Sequence, residues 1–223
     1  MKKPELLAPA GDFEKLRTAL HYGADAVYIG DSRFSLRGKA GNFQGEQLRD
    51  AVAYAHAHNA RAYVTANIFS HNRDLKALEE HAGLLKDIRP DAVIVSDPGI
   101  FSIFRRIAPE IDIHISTQAN ITNVETARFW EELGARRIIL ARELSIGEIR
   151  EVRAKTRIEL EVFVHGSICI SYSADAILAA FSLQEVQIAG NAPIRADGTT
   201  ASWRRKDRVN ISLSLKMRGG HIS

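Results

Sequence analysis

The chain has 223 residues, 45% hydrophobic and 26% charged, which is the composition of a globular protein long enough to bury a sizeable core. No run of eighteen apolar residues occurs, which argues against a membrane span, and a single cysteine excludes an intramolecular disulfide framework, so we expect a cytoplasmic protein. The formal net charge of +3 is uneven, because residues 182–223 carry +4 and residues 1–181 carry −1. Such a basic tail can bind nucleic acid.

A pattern of about 30 residues repeats along the chain, in which a short apolar run precedes a loop and an amphipathic segment. The apolar runs predict strands at 5–10, 25–30, 61–67, 91–97, 112–118, 136–143 and 159–166. The segments between them predict helices at 12–23, 44–59, 74–89, 98–110, 123–134 and 145–156. Start signals agree with these bounds: Asp12 as an N-cap, Pro98 in a first turn, and a capping box of Ser145 and Glu148.

Strands that alternate with helices predict an α/β fold with a parallel sheet, either a TIM-type (β/α) barrel or a doubly wound sheet. We favour the barrel, because polar residues recur at the carboxyl ends of successive strands and these ends all converge only at a barrel mouth. These residues are Asn67, Asp97, Gln118, Glu143 and His165. No dinucleotide-binding glycine motif follows the first strand, which disfavours the nucleotide-binding version of the open sheet.

About seven βα units make the predicted barrel incomplete, so we expect an open seam with exposed strand edges. The regular pattern ends near Phe181. We therefore expect a TIM-like domain at 1–181 and a poorly ordered basic tail at 182–223. Within that tail, only the alternating segment 210–216 suggests a strand.

The only cysteine, Cys169, lies four residues after His165 in the segment EVFVHGSICISYS. The two side chains could form a nucleophile and its base. Alternatively, Cys169 could bind a metal or an iron–sulfur cluster, although a cluster needs about four thiolates. A third interpretation is a small buried cysteine beside a structural histidine. The residues alone leave all three open.

A row of polar residues alternates along the fifth predicted strand and into its loop, namely His114, Ser116, Gln118 and Asn120. Since alternate residues of a strand face the same way, the row predicts a hydrogen-bonding pocket at the barrel interior or mouth. The alternative is that His114 and Ser116 fill a barrel layer while Asn120 caps the next turn.

Two further segments suggest a binding or catalytic role. Glu143 ends a strand and could act as an acid or base, or form a structural ion pair together with Arg142. The loop at 30–43 is long and basic and contains Arg37 and two phenylalanines. Such a loop suits an anionic ligand such as RNA, and its alternative is a solvated lid.

A resemblance to a known family rests on segments that occur in order over about residues 4–173. They are PELLAPAG, YGADAVYIG, FSLR, VSDPG, HISTQAN, ILARELS and EVFVHGSICISYS. The chain resembles the collagenase-like peptidases, the thirty-second family of peptidases of unassigned mechanism. Members of this family were first labelled proteases, but several look like oxygen-independent hydroxylation proteins that act on a tRNA wobble uridine, a ribosomal RNA cytidine or a ubiquinone precursor. The resemblance is closest to the tRNA branch, which implies tRNA as partner and prephenate as hydroxyl source.

The resemblance also implies a 4Fe-4S cluster on four cysteines, the first of which corresponds to Cys169. The chain departs from the pattern where the second is expected, because residues 173–176 read SADA, and the later cysteines are absent too. A one-base shift in reading frame would restore that second cysteine and two more, at Ala192 and Ala196. We therefore interpret the tail from about Ala174 as frameshifted, the alternative being a genuinely divergent C-terminus.

On this interpretation the chain as written is truncated and inactive, and does not assemble the cluster. The candidate residues for the intact relatives comprise His165 and Glu143 as catalytic groups, Cys169 as cluster or metal ligand, and Arg37, Asn67, His114, Gln118 and Asn120 as substrate-binding groups. The competing hypothesis is a protease that uses Cys169 or a metal. Neither the exact substrate nor the oligomeric state follows from the sequence.

Overall fold

The computed structural model describes residues 3–36, 43–165 and 213–217. Seven parallel strands, each paired with the next, form a curled barrel wall. The strands are β1 (Glu5–Pro9), β2 (Ala26–Gly30), β3 (Arg61–Ala66), β4 (Ala92–Val95), β5 (Asp112–Ile115), β6 (Arg137–Ile139) and β7 (Glu159–His165). The helices between them are α1 (Phe13–His21), α2 (Glu46–Ala57), α3 (Leu75–Ile88), α4 (Pro98–Ile107), α5 (Val124–Glu132) and α6 (Ile146–Lys155). The predicted TIM-like α/β fold is confirmed.

The helix starts follow from local side-chain chemistry. The Asp12 carboxylate accepts a hydrogen bond from the Lys15 backbone amide at 2.8 Å, and Ser145 and Glu148 form the predicted capping box. Asp97 accepts from the Ile100 amide at 2.9 Å and thereby caps α4. Each such cap contributes about 1 kcal/mol. Asp97 is therefore a helix cap in this structure, although the sequence pattern grouped it with the residues at the mouth.

The gap between β1 and β7 is filled by an eighth strand, β8 (Leu213–Met217), which pairs antiparallel with both. This differs from the open seam expected from seven units. The physical reason is that unpaired amides and carbonyls at two strand edges provide a ready template for another strand. The strand overlaps the alternating segment 210–216 and extends one residue beyond it. The remainder of the tail at 182–223 lies outside the described residues.

The apolar core has two parts. The larger lies between the strands and the helices and contains residues such as Leu48, Leu78 and Phe104, all fully buried. The smaller lies inside the barrel and consists of Leu7, Ala26, Tyr63, Ala92, Ile94 and Ile139. Because inward-facing positions of the barrel are largely filled by side chains, binding chemistry is left to the ends of the strands. None of the helices in the described ranges is long and apolar enough to cross a membrane.

Candidate active site at the barrel mouth

Four polar side chains meet where β3, β4 and β5 end, and we call them the mouth cluster: Asn67, Ser96, Ser116 and Gln118. The Asn67 amide nitrogen donates to Gln118 Oε1 at 3.2 Å. The Ser96 hydroxyl donates to the Asn67 backbone carbonyl at 3.2 Å, and Ser116 donates its hydroxyl to Gln118 Oε1. Two of the predicted substrate-binding residues, Asn67 and Gln118, are thus in direct contact.

The orientation of Gln118 is fixed by its own neighbours. A 3-10 turn at Thr117–Ala119 follows β5 and lifts Gln118 to the level of Asn67. Because Gln118 Oε1 accepts from both Asn67 and Ser116, its amide nitrogen points elsewhere. That nitrogen makes no hydrogen bond with any described residue, and Gln118 is only half-buried. The mouth cluster therefore presents an oriented N–H donor group to whatever enters the barrel mouth.

His114 and Asn120, the other two members of the predicted polar row, do not belong to the mouth cluster. His114 is buried in the barrel, with its ring packed edge-on against Tyr63 at a centroid distance of 4.7 Å. Asn120 is exposed and left-handed (φ 52°), at the end of the 3-10 turn. The row breaks because β5 ends at Ile115 and the turn replaces the alternation of a strand. His114 thus fills an interior layer, and Asn120 ends a turn.

The two predicted catalytic residues lie at the ends of neighbouring strands. Glu143 is exposed in the loop after β6, and His165 is exposed at the last position of β7. The guanidinium of Arg142 lies 5.7 Å from the ring centroid of Phe163, which holds this loop against β7. Both residues belong to the same rim of the barrel, and their catalytic role stays a prediction.

Two predicted residues, Arg37 and Cys169, lie outside the described residues. The loop that contains Arg37 is described at both of its ends. Phe34 and Phe43 are buried there, and Phe43 packs edge-on against Phe13 at 5.1 Å. These two aromatic rings therefore anchor the loop to the core and are not exposed for stacking on a ligand.

The amino-terminal end of the barrel interior contains a charged network that the sequence interpretation missed. Arg137 is 1% exposed and its guanidinium is 3.0 Å from Glu161, 3.2 Å from Glu159 and 2.9 Å from Glu5. It also donates to the Tyr63 hydroxyl at 3.2 Å, and that hydroxyl donates to Glu5 at 2.8 Å. We call these five residues the Arg137 network.

The charges of the Arg137 network are balanced by two arginines at its edge. Arg61 is 3.2 Å from Glu5, and Arg136 is 3.3 Å from Glu159. Burial disfavours the charged form of Arg137, but the surrounding acidic groups outweigh it and raise its pKa. The sequence contains the signal for this network, since Glu159 and Glu161 are two apart on one strand and so face the same side.

A second buried polar pair lies behind the loop at 30–43. The ring of His81 is 2% exposed, packs against Phe34 at 4.6 Å and places Nδ1 3.9 Å from an Asp31 carboxylate oxygen. Its Nε2 has no hydrogen-bond partner among the described residues. Burial lowers the pKa of His81 to about 4, so the imidazole is neutral at neutral pH.

Comparison with known proteins identifies the family of this chain. A family model described as Peptidase family U32 matches residues 11–190. The chain belongs to peptidase family U32.

Several curated relatives are named for an RNA activity. The chain is 47% identical over 178 residues to tRNA hydroxylation protein P1 of Bacillus subtilis, covering 80% of this chain and 42% of that protein. It is 45% identical over 193 residues to tRNA hydroxylation protein P of Helicobacter pylori, covering 86% and 46%. The chain thus spans less than half the length of these relatives.

The solved structure of the U32 peptidase Mk0906 matches with a TM-score of 0.66, covering 89% of this chain and 86% of that one at 16% identity. At this identity the match supports the shared fold alone.

The cysteine content of this chain does not fit a four-cysteine cluster of the kind implied for U32 relatives. Four thiolates are needed, and the sequence contains one cysteine. Among the described residues no group of three or more His, Cys, Asp or Glu side chains is arranged to hold a metal ion. The described mouth therefore offers hydrogen bonds and charged side chains.

Proposed function

We propose that the intact protein represented by this chain hydroxylates a base of tRNA, with the wobble uridine as the target. The observation that carries the proposal is the identity of 47% to a tRNA hydroxylation protein over 80% of this chain. The barrel mouth supports it, because a neutral cluster of hydrogen-bonding side chains can contact the polar edge of a flat base.

The mouth cluster would recognise the base through Gln118. Its amide N–H groups are oriented by Asn67 and Ser116, and a uracil ring presents carbonyl oxygens that accept from such donors. An RNA base must leave its stack to enter a barrel mouth, as bases do in other enzymes that modify them. Glu143 and His165 at the neighbouring rim are the candidates for moving a proton.

The co-reactants are a further part of the proposal. Prephenate would supply the hydroxyl group, and an iron–sulfur cluster bound in part by Cys169 would belong to the intact protein. The chain as written has too few cysteines for that cluster, so we propose that it is inactive and that its sequence from about Ala174 is frameshifted. No step of the reaction is assigned to the cluster.

The test is hydroxylation in cells that lack their own tRNA hydroxylation protein. Two versions are expressed, the chain as written and a frame-restored gene, and the digested tRNA is analysed by mass spectrometry. We expect a uridine with one added oxygen for the frame-restored version alone. A frame-restored protein that binds near four irons per chain yet leaves the tRNA unchanged would contradict the proposal.

The competing function is proteolysis, which the family description favours. In that case Cys169 would be the nucleophile and His165 its base. Peptide cleavage that is abolished by Cys169→Ser, in a protein free of iron, would support proteolysis. Iron that is lost in the same variant would support the RNA reaction.

A further inference from the structure

A cluster of aromatic and cationic side chains lies on the outer surface between α1 and α2. We call it the α1–α2 patch and define it by Arg17, His21, Tyr22, Tyr54 and His58, which line a surface depression of about 460 Å³. Tyr22 is 76% exposed, the largest exposed fraction among the large hydrophobic side chains of the described residues. A single exposed apolar side chain is common, but a contiguous patch of them often marks an interaction site.

The rings and cations of the α1–α2 patch are arranged in contact with one another. The guanidinium of Arg17 on α1 lies 5.9 Å from the ring centroid of Tyr54 on α2. The Tyr54 and His58 rings are tilted by 33° at a centroid distance of 4.2 Å, and His58 Nδ1 is 2.8 Å from the Tyr54 carbonyl. His21 and Tyr22 form a second ring pair at 5.3 Å. The patch thus contains two ring pairs, and the guanidinium group of Arg17 lies beside one of them.

The charge of the patch identifies the class of ligand. Of the described residues that line the depression, none is acidic, whereas Arg17 carries a positive charge. Arg17 makes no ion pair with any described residue. Surfaces that bind unpaired nucleic acid combine cations for the phosphates with rings on which bases stack.

From this arrangement we infer that the α1–α2 patch is a second RNA contact, which binds unpaired nucleotides of the substrate by stacking and by phosphate pairing. The inference rests on the proposed function, since it assumes an RNA substrate. The patch includes the carboxyl-terminal ends of α1 and α2, at the end of the barrel away from the mouth. Helix α1 has nine residues, so it is about 14 Å long, and a folded RNA is large enough to contact both places.

The test measures binding of an unmodified, fluorescein-labelled tRNA transcript to the purified chain by anisotropy at several salt concentrations. We expect Tyr22→Ala to weaken binding about tenfold, because base stacking on an aromatic ring has that effect. We expect Arg17→Gln to make the slope of log affinity against log salt shallower by about 0.7, the value for one lost contact to a single strand. Both side chains are exposed, so the fold should be unchanged in circular dichroism.

Phe129→Ala is the matched control, because Phe129 is 52% exposed on α5, outside the patch. It should bind tRNA with the affinity and salt slope of the unchanged chain. A tRNA transcript with photoreactive 4-thiouridine adds a second measurement, in which we expect cross-linked peptides from the ends of α1 and α2.

Three outcomes would overturn the inference. If tRNA binds but Tyr22→Ala and Arg17→Gln behave as the unchanged chain does, the patch is not an RNA contact and the proposed function is unaffected. If the unchanged chain binds no tRNA at all, the inferred second RNA contact is wrong, whereas the proposed function of the intact protein is tested separately by the hydroxylation measurement. If Tyr22→Ala abolishes self-association seen in sedimentation without changing RNA binding, the patch is a contact between copies.

Discussion

The two ends of the barrel interior are both polar but differ in how their polar groups are used. At the amino-terminal end, the Arg137 network pairs buried charges with one another, with Arg137 bound to Glu5, Glu159 and Glu161 at once. At the mouth, the cluster of Asn67, Ser96, Ser116 and Gln118 is neutral, and the Gln118 amide nitrogen has no partner among the described residues. The polar groups at the amino-terminal end therefore bind one another and serve the fold. At the mouth, the Gln118 amide nitrogen is left to bind a ligand.

The largest effect is expected from Arg137→Met. This change leaves three carboxylates without their shared partner in a buried setting, which typically costs about 3–5 kcal/mol. Urea unfolding followed by circular dichroism gives the free energy of unfolding. A loss below 1 kcal/mol would mean that the network contributes little and that the contrast between the two ends is wrong.

Two controls sharpen that measurement. Arg136→Gln changes a neighbouring arginine that is 54% exposed, so its loss should be about 1 kcal/mol or less. The double variant Arg137→Met/Glu161→Met removes a buried carboxylate together with the guanidinium. It should recover part of the stability, because an unpaired buried charge costs more than an absent pair.

His81 differs from the Arg137 network because its Nε2 has no hydrogen-bond partner among the described residues. We therefore expect its burial to make the stability of the fold depend on pH. Its pKa is lowered to about 4 in the folded chain from a reference value of 6.5. The unfolded state therefore binds the proton first as the pH falls, and stability is lost progressively between pH 6.5 and 4. A shift of this size corresponds to about 3 kcal/mol.

The comparison is between the unchanged chain and His81→Leu, by urea unfolding at pH 7.5 and at pH 4. Carboxylates titrate in both proteins, so the difference between the two isolates His81. Between pH 7.5 and pH 4 the free energy of unfolding should fall in both proteins. We expect the fall to be about 3 kcal/mol smaller in His81→Leu than in the unchanged chain. Parallel pH profiles of the two proteins would show that His81 is protonated as easily when folded as when unfolded.

The sequence predicts the fold well, because strands and helices have periodic patterns and local start signals. The N-caps Asp12 and Ser145 and the alternation of seven apolar runs are properties of neighbouring residues. The site is predicted less completely. Asn67 and Gln118 could be placed at one mouth by their position at strand ends, but their contact depends on the 3-10 turn after Ile115.

What the sequence could not give are contacts that join distant segments. The Arg137 network joins residues 5, 63, 137, 159 and 161, and only the closed barrel brings them together. Phe34 and Phe43 illustrate the opposite error, since a basic loop with aromatic residues suggested a ligand-binding surface. Their burial, which no local pattern specifies, makes them anchors of the core.

A smaller loss of stability is expected from Tyr63→Phe. Tyr63 lies between the Arg137 network and the interior layer that contains His114. The change removes the hydroxyl that bonds to Arg137 and Glu5 but keeps the ring that packs against His114. Hydrogen bonds to charged groups contribute about 1.5–3 kcal/mol, so we expect a loss of about 2 kcal/mol in urea unfolding. Affinity for tRNA should not change. Weaker tRNA binding in this variant would show that the two ends of the interior are coupled.

The smallest loss of stability, and the clearest effect on binding, is expected at Gln118. Gln118→Ala removes the half-buried amide and leaves the buried Asn67 and Ser116 without their shared acceptor, so the free energy of unfolding should fall by about 1 kcal/mol. If the amide nitrogen donates to a base, affinity for an unmodified tRNA transcript should fall about tenfold. Gln118→Glu keeps the shape but replaces the donor with a carboxylate, so it should weaken binding at least as much. Unchanged affinity in both variants would mean that the mouth cluster, like the Arg137 network, serves only the fold.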